Sequence, residues 1–306
     1  MKIYIVGAGA IGKALSVFLQ QENKDVSIIR GSVDHCPTER ETIKVFNQKG
    51  EVFIQNISTT TFSQIAEING IVLITTKTFA NSFIANKLKG KKGNFSIILL
   101  QNGLNIEKPF GDFKELYRCV LFSTSQVLEN QEVSFKTVAP SPVGLINGNL
   151  NTLGRILSII NTSHFVFETE TDILKHVWDK VIINCAFNSI CPLLEVDNGV
   201  FKNNNEALKL ARTVILECSN LASEYGIKTD AKGIEKKLMQ ISDRAKGQLI
   251  STYEDIRKNR RTEIDSLNLE ISKLADELGK PEIVQTTTLL GKLIKLKSEI
   301  LINQKI

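Results

Sequence analysis

The sequence predicts an α/β fold, with a parallel sheet and flanking helices in its N-terminal half followed by an all-α C-terminal domain. Three observations lead there. The chain opens on an apolar run, Ile3-Tyr4-Ile5-Val6, that passes directly into Gly7-Ala8-Gly9-Ala10-Ile11-Gly12. Later runs, Ile71-Val72-Leu73-Ile74-Thr75-Thr76 and Phe95 to Leu100, are apolar without alternation, as parallel strands buried on both faces should be. Beyond about Leu150 the apolar period becomes helical.

The first element is a strand, turn and helix of the kind that binds dinucleotides. Gly7 lets the chain turn sharply off the strand, Gly9 leaves room for a pyrophosphate against the backbone, and Gly12 lets helix and strand pack closely. The helix N-terminus then offers free N–H groups to phosphate. A second apolar run, Val26-Ser27-Ile28-Ile29, ends in Arg30-Gly31-Ser32, at the place where NAD-binding sheets usually carry a carboxylate for the ribose hydroxyls. A guanidinium can fork onto a 2′-phosphate and Ser32 adds a hydroxyl, which favours NADP(H); the nearby Asp34 keeps NAD(H) open.

Further strands are expected at Glu51 to Asn56 and at the two apolar runs, each of which ends in polar residues: Lys77 after the first, Gln101-Asn102-Gly103 after the second. Lys77 and Asn102 are thereby placed at the carboxyl edge of the sheet, where open α/β folds bind ligands. Val120 to Ser123, Val133 to Val138 and Val143 to Ile146 read as strands that extend the sheet. Helices follow at Thr171 to Leu194, opened by Asp172, and at Glu206 to Tyr225, Ala231 to Ala245 and Arg261 to Leu278. The change of period divides the chain into residues 1–167, a nucleotide-binding domain, and 168–306, a helical substrate domain.

Composition narrows the function. A net charge of +5 from 38 basic and 33 acidic residues is too small and scattered for nucleic acid, and suits a small anionic ligand. The five cysteines show no metal-ligand spacing, and their odd number without a signal sequence suggests reduced thiols in the cytoplasm; Cys185 and Cys191 are expected in the core. No apolar run is long enough for a membrane span, and the lysines of Gly291 to Lys297 read as a solvated helix face. His35, His164 and His176 fall in no ligand or triad pattern, and are expected at the surface or at helix ends.

Inside the long apolar helix, Lys180, Asn184 and Asn188 recur every four residues and so share one face. Buried without partners, a lysine and two amides would cost on the order of a few kcal/mol each, so they must pair, reach backbone or line a wet cavity. Burial also lowers a lysine pKa toward the range needed to protonate a forming alkoxide.

With these residues in view, the sequence resembles the ketopantoate reductase (2-dehydropantoate 2-reductase) family. The resemblance spans nearly the whole chain and rests on Gly7 to Gly12, Thr76-Lys77, Asn102-Gly103, Lys180 to Asn184, Asp197-Asn198-Gly199 and Arg261-Thr262-Glu263-Ile264-Asp265. It implies an N-terminal Rossmann-type domain, an all-helical C-terminal domain like that of 6-phosphogluconate dehydrogenase, and reduction of ketopantoate with NADPH in pantothenate synthesis. By resemblance Lys180 is the proton donor, and Asn184, Asn188, Asn198 and Ser251 contact substrate. Lys77, Asn102 and Glu263 stand on the cofactor side with Gly7, Ala8, Gly9, Ala10, Ile11, Gly12 and Arg30, and Glu263 fixes either Lys180 or a ribose hydroxyl.

Departures from the family pattern concern the substrate. Gln248 and Thr252 replace the family's asparagine and methionine around Ser251, Asn268-Leu269 replaces an asparagine-glycine, and Pro281-Glu282-Ile283-Val284-Gln285 lacks a downstream asparagine. Gln248, a substrate-side position, changes the reach of the pocket. The expected protein is a cytoplasmic NADP(H)-dependent reductase, monomer or homodimer, acting on a small anionic 2-oxo acid held between its domains, with no nucleic-acid or membrane partner. The alternatives are a related reductase of another 2-oxo or hydroxy acid, and a regulator that binds NADP(H) without turnover.

Overall fold

A computed structural model describes residues 1–128 and 132–304. The chain divides into two units, Met1–Gln101 with Ile106–Ile173, and Asn102–Asn105 with Leu174–Ile306.

The first unit is built on β1 (Lys2–Val6), α1 (Ala10–Gln21), β2 (Val26–Arg30), β3 (Glu39–Asn47), β4 (Val52–Thr61), β5 (Gly70–Ile74), α2 (Asn81–Lys89) and β6 (Phe95–Leu99). It continues with β7 (Leu116–Cys119), β8 (Ser123–Val127), β9 (Val133–Thr137), β10 (Ser141–Asn147), α3 (Leu150–Ile160) and β11 (Phe167–Thr169). The described strands form one sheet in the order β11-β10-β7-β6-β5-β1-β2-β4-β3-β9-β8. Six of them, β4-β2-β1-β5-β6-β7, run parallel, with Ile5 of β1 level with Ile28 on one side and Leu73 on the other. The strand order therefore reverses at β1, and the crevice of a doubly wound sheet opens where β1 ends.

Both faces of this sheet are covered, which is why its central strands read as unbroken apolar runs. Ile3 and Ile5 pack with Leu15, Phe18 and Leu19 of α1, whereas Tyr4 and Val6 point the other way, toward Ile84 and Leu88 of α2. His164, expected at the surface or at a helix end, lies four residues beyond α3, half-buried, and stacks on Phe18 at a centroid distance of 4.9 Å.

Two strand expectations need correction, and β3 was not expected at all. β4 runs on to Thr61, since Ile57-Ser58-Thr59-Thr60-Thr61 is polar by composition yet pairs with β2 from Ser58 to Thr61. β3 went unread because Glu39-Arg40-Glu41 opens it with charge; only its second half, at Ile43 and Val45, faces the core. Residues 120–122 form the connection between β7 and β8 rather than a strand.

The second unit contains α4 (Ile173–Leu194), which begins at the last residue of the first, then α5 (Val200–Asn203), α6 (Asn205–Glu224), α7 (Ala231–Arg244), α8 (Ser251–Arg257), α9 (Asn268–Glu277) and α10 (Gln285–Asn303). The helix expected from Arg261 starts only at Asn268. Ser266 donates its hydroxyl to the Glu263 carbonyl, residues 264–266 close a single 3-10 turn, and Leu267 is non-helical at φ −115° and ψ −108°. α10 starts where the Thr286 and Thr287 N–H groups donate to the Glu217 carboxylate at 2.9 and 2.7 Å, which satisfies two donors of its first turn. No helix among the described residues is long and apolar enough to cross a membrane.

Candidate active site

In the first unit the glycine turn has the geometry its composition asks for. Gly7 has φ +124°, and a Cβ there would stand 2.9 Å from the Thr76 nitrogen. A Cβ on Gly12 would come within 2.1 Å of the Gly7 carbonyl oxygen, so only glycine lets α1 approach β1 this closely. Around Gly9 nothing lies within 4 Å of the Cβ position. Gly9 is also the N-cap of α1 and supplies no side-chain acceptor, and the first turn carries no acidic residue. An uncapped helix start beside open space is a cradle for phosphate oxygens.

The end of β5 is held by a buried amide pair, Gln101 and Asn81, that the sequence analysis did not single out. Gln101 Nε2 donates to the Thr76 carbonyl at 2.9 Å and to Asn81 Oδ1 at 2.6 Å. Asn81 Nδ2 donates to the Ile106 carbonyl at 2.9 Å. These bonds fix the backbone on either side of Lys77, a half-buried residue that precedes the 3-10 turn at Thr78–Ala80.

Arg30, expected to be available to a 2′-phosphate, is already engaged by the Glu39 carboxylate across the β2–β3 connection. The pair is partly in water, the two side chains being 32% and 52% exposed, so a dianion can compete for the guanidinium. Asp34 is tied down as well, accepting from Lys87 Nζ at 2.8 Å and from the Ser63 and His35 N–H groups. The Lys87 hydrogen bond, with those N–H groups, holds its carboxyl well below the ordinary range.

In the second unit Lys180, Asn184 and Asn188 follow one another along α4, amid buried Val181, Ile182, Cys185 and Phe187. Lys180 and Asn184 are partly exposed, whereas Asn188 is 3% exposed and committed within the protein. Its Nδ2 donates to the Asn184 carbonyl at 3.0 Å, and its Oδ1 lies 3.4 Å from both Ser251 Oγ and the Thr252 nitrogen. Asn188, expected to contact substrate, also ties the start of α8 to α4 through these contacts.

Asn198 is drawn to the same segment, since its backbone N–H donates to the Gln248 carbonyl at 2.9 Å and its carbonyl accepts from Ser242 at 2.7 Å. The Asn198 Oδ1 is buried without a hydrogen-bond partner among the described residues, while the Gln248 and Ser251 side chains are exposed. Asn102 is exposed in the excursion that belongs to this unit, anchored by Leu104 N–H on the Ser266 carbonyl and by Asn105 on Glu270. Glu263 precedes the 3-10 turn at Ile264–Ser266 and is half-buried. Asn268 is fully buried, its Nδ2 donating to the Cys185 and Thr287 carbonyls, so it joins α4, α9 and α10.

Comparison with known proteins agrees with both halves. Residues 3–147 match the family model described as Ketopantoate reductase PanE/ApbA, and residues 172–298 match that described as Ketopantoate reductase PanE/ApbA C terminal. A 2-dehydropantoate 2-reductase of Pyrococcus horikoshii is 28% identical over 283 residues, covering 90% of this chain and 91% of its own. Among solved structures, a D-mandelate dehydrogenase with NADH and anilino(oxo)acetate superposes with a TM-score of 0.86 at 22% identity, covering 98% and 99% of the two chains. A dimeric ketopantoate reductase from Staphylococcus aureus gives 0.81 at 18%, covering 98% and 100%. The chain belongs to the ketopantoate reductase family of oxidoreductases.

Proposed function

We propose that this protein reduces 2-dehydropantoate to pantoate with NADPH, supplying pantothenate synthesis. The observation that carries the reading is Lys180, a half-buried cation on α4, which shares a helix face with Asn184 one turn on and, two turns on, with Asn188, which reaches Ser251. The residues that would hold the coenzyme are Gly7 to Gly12, with open space at Gly9 for the pyrophosphate, together with Arg30, Lys77, Asn102 and Glu263. When bound, a reduced nicotinamide supplies the hydride. The chain's own part is to hold the keto acid by Asn184, Asn198, Gln248 and Ser251, and to deliver a proton from Lys180 Nζ to the carbonyl oxygen as it becomes an alkoxide. Glu263 orients Lys180 or a ribose hydroxyl.

A second reading, reduction of another small 2-oxo acid with NADH, is favoured by the Glu39 carboxylate on Arg30 and by the departures at Gln248 and Thr252. Steady-state assays with ketopantoate and a panel of 2-oxo acids, each with NADPH and NADH, separate the two. Lys180→Ala is expected to lower kcat about 100-fold or more while coenzyme affinity is kept, the scale of a lost general acid. Unchanged turnover in that variant removes the mechanism, and coenzyme binding without turnover on any keto acid removes the proposed activity.

A further inference from the structure

The chain that leaves β2 passes directly beside the glycine turn. The Gly7 N–H donates to the Ile29 carbonyl at 2.9 Å, and a Cβ on Gly31 would lie 3.2 Å from Thr76 Cγ2 and 3.8 Å from both Ile84 of α2 and Val6 of β1. Three residues on, Asp34 Oδ2 accepts from Lys87 Nζ at 2.8 Å. Ile84 and Lys87 are one turn apart on the same side of α2, so residues 31–34 run along that helix. The segment is also fastened at the end of β4. Asp34 Oδ1 accepts the N–H groups of Ser63 and His35 at 2.8 and 3.0 Å, Ser63 Oγ accepts the His35 N–H as well at 3.0 Å, and Thr61 Oγ1 donates to the Cys36 carbonyl at 3.2 Å. These bonds hold His35 in the left-handed region at φ +59°.

The two oxygens of Asp34 therefore have different duties. Oδ1 ties the segment to backbone, whereas Oδ2 has Lys87 as its partner among the described residues. The Asp34 side chain is 17% exposed and that of Lys87 37%, a drier pair than Arg30 with Glu39, and the Phe83 ring, its centre 5.3 Å from Lys87 Nζ, gives the ammonium a second support. A carboxylate after β2 is the group with which NAD-binding sheets take the ribose hydroxyls, and the same carboxylate left uncompensated repels a 2′-phosphate. We propose that Lys87 is a positioning residue for coenzyme choice: by holding and neutralising Asp34 Oδ2 it withdraws this carboxylate from the ribose and leaves Arg30 and Ser32 to meet a 2′-phosphate. The inference rests on the NADPH reading above for the direction in which the pair works.

Titration calorimetry of the full chain with NADPH and with NADH tests this, with thermal melting to show that each variant is folded. Lys87→Met, which keeps the stem of the side chain but not its charge, should lower the preference for NADPH over NADH about tenfold, through weaker NADPH and tighter NADH binding. Adding Asp34→Asn to that variant should return the ratio of the two dissociation constants to within about threefold of the wild type, because the charge that Lys87 no longer covers is gone. Lys87→Arg should keep the wild-type ratio. An unchanged ratio in Lys87→Met overturns the inference, as does an equal loss for both coenzymes, the mark of a support for the segment and nothing more. A shift in Lys87→Met that Asp34→Asn does not repair also overturns it, since the ammonium then meets the 2′-phosphate itself. The wild-type ratio tests the NADPH reading and the variants are read as changes from it, so either can fail without the other.

Discussion

Arg30, the last residue of β2, is ion-paired with Glu39, the first residue of β3, so the guanidinium at the carboxyl end of β2 is partly neutralised within the protein. Glu39→Gln is expected to raise kcat/KM for NADPH relative to NADH about two- to fivefold, the span of an exposed ion pair, and less so at high salt. Arg30→Ala should move the ratio the opposite way. Coenzyme preference that stays constant in both variants means that Arg30 does not meet the 2′ position.

Gln101→Leu keeps the volume of a buried side chain but removes the donor to the Thr76 carbonyl and to Asn81. Two buried acceptors left bare cost roughly 1–3 kcal/mol, read as a lower urea midpoint with an unchanged slope. The KM for coenzyme should rise as well, since the same bonds hold the backbone beside Lys77. A variant with wild-type stability contradicts the role assigned to the amide pair.

Asn188→Ala frees Ser251 and Thr252 from α4. With Ser251 proposed to hold the keto acid, loss of the Asn188 contact should raise the KM for the keto acid several-fold while the coenzyme Kd, followed by fluorescence, stays constant. Equal losses in keto-acid and coenzyme binding would point to general unfolding of the helical unit.

Asp34 makes a pH prediction whose sign follows from its depressed carboxyl. The folded group ionises below its ordinary value of 3.8, so its contribution to stability is complete at neutral pH and is lost as pH falls below about 4. Lys87→Met removes the principal cause and should flatten this part of the acid-unfolding profile. Carbon NMR titration of the Asp34 carboxyl checks the same point, and an ordinary midpoint in the wild type rules it out.

Local signals carried much of the fold. The glycine turn was legible because steric demands within six residues explain it, and the central strands because burial on both faces leaves a run of apolar side chains. β3 was not, since its charged start is explained only by pairing with β4 and by the ion pair to Arg30. The same applies to the candidate site. That Lys180, Asn184 and Asn188 share a face follows from helical spacing, but that the Asn188 Oδ1 meets α8 depends on a segment more than sixty residues further along. The structural role of Gln101 was not legible, because its partners at Thr76 and Asn81 lie 25 and 20 residues away, after a different strand of the sheet.

The detour of Asn102–Asn105 into the helical unit, fastened at Ser266 and Glu270, means that the two halves are interleaved rather than strung end to end. Cutting or recombining this gene at a single point near Ile173 would leave four residues stranded on the wrong fragment, and the helices without the segment whose backbone and side chain meet Ser266 and Glu270. Chimeras with related enzymes should therefore express well only when residues 102–105 come from the same parent as the helical unit.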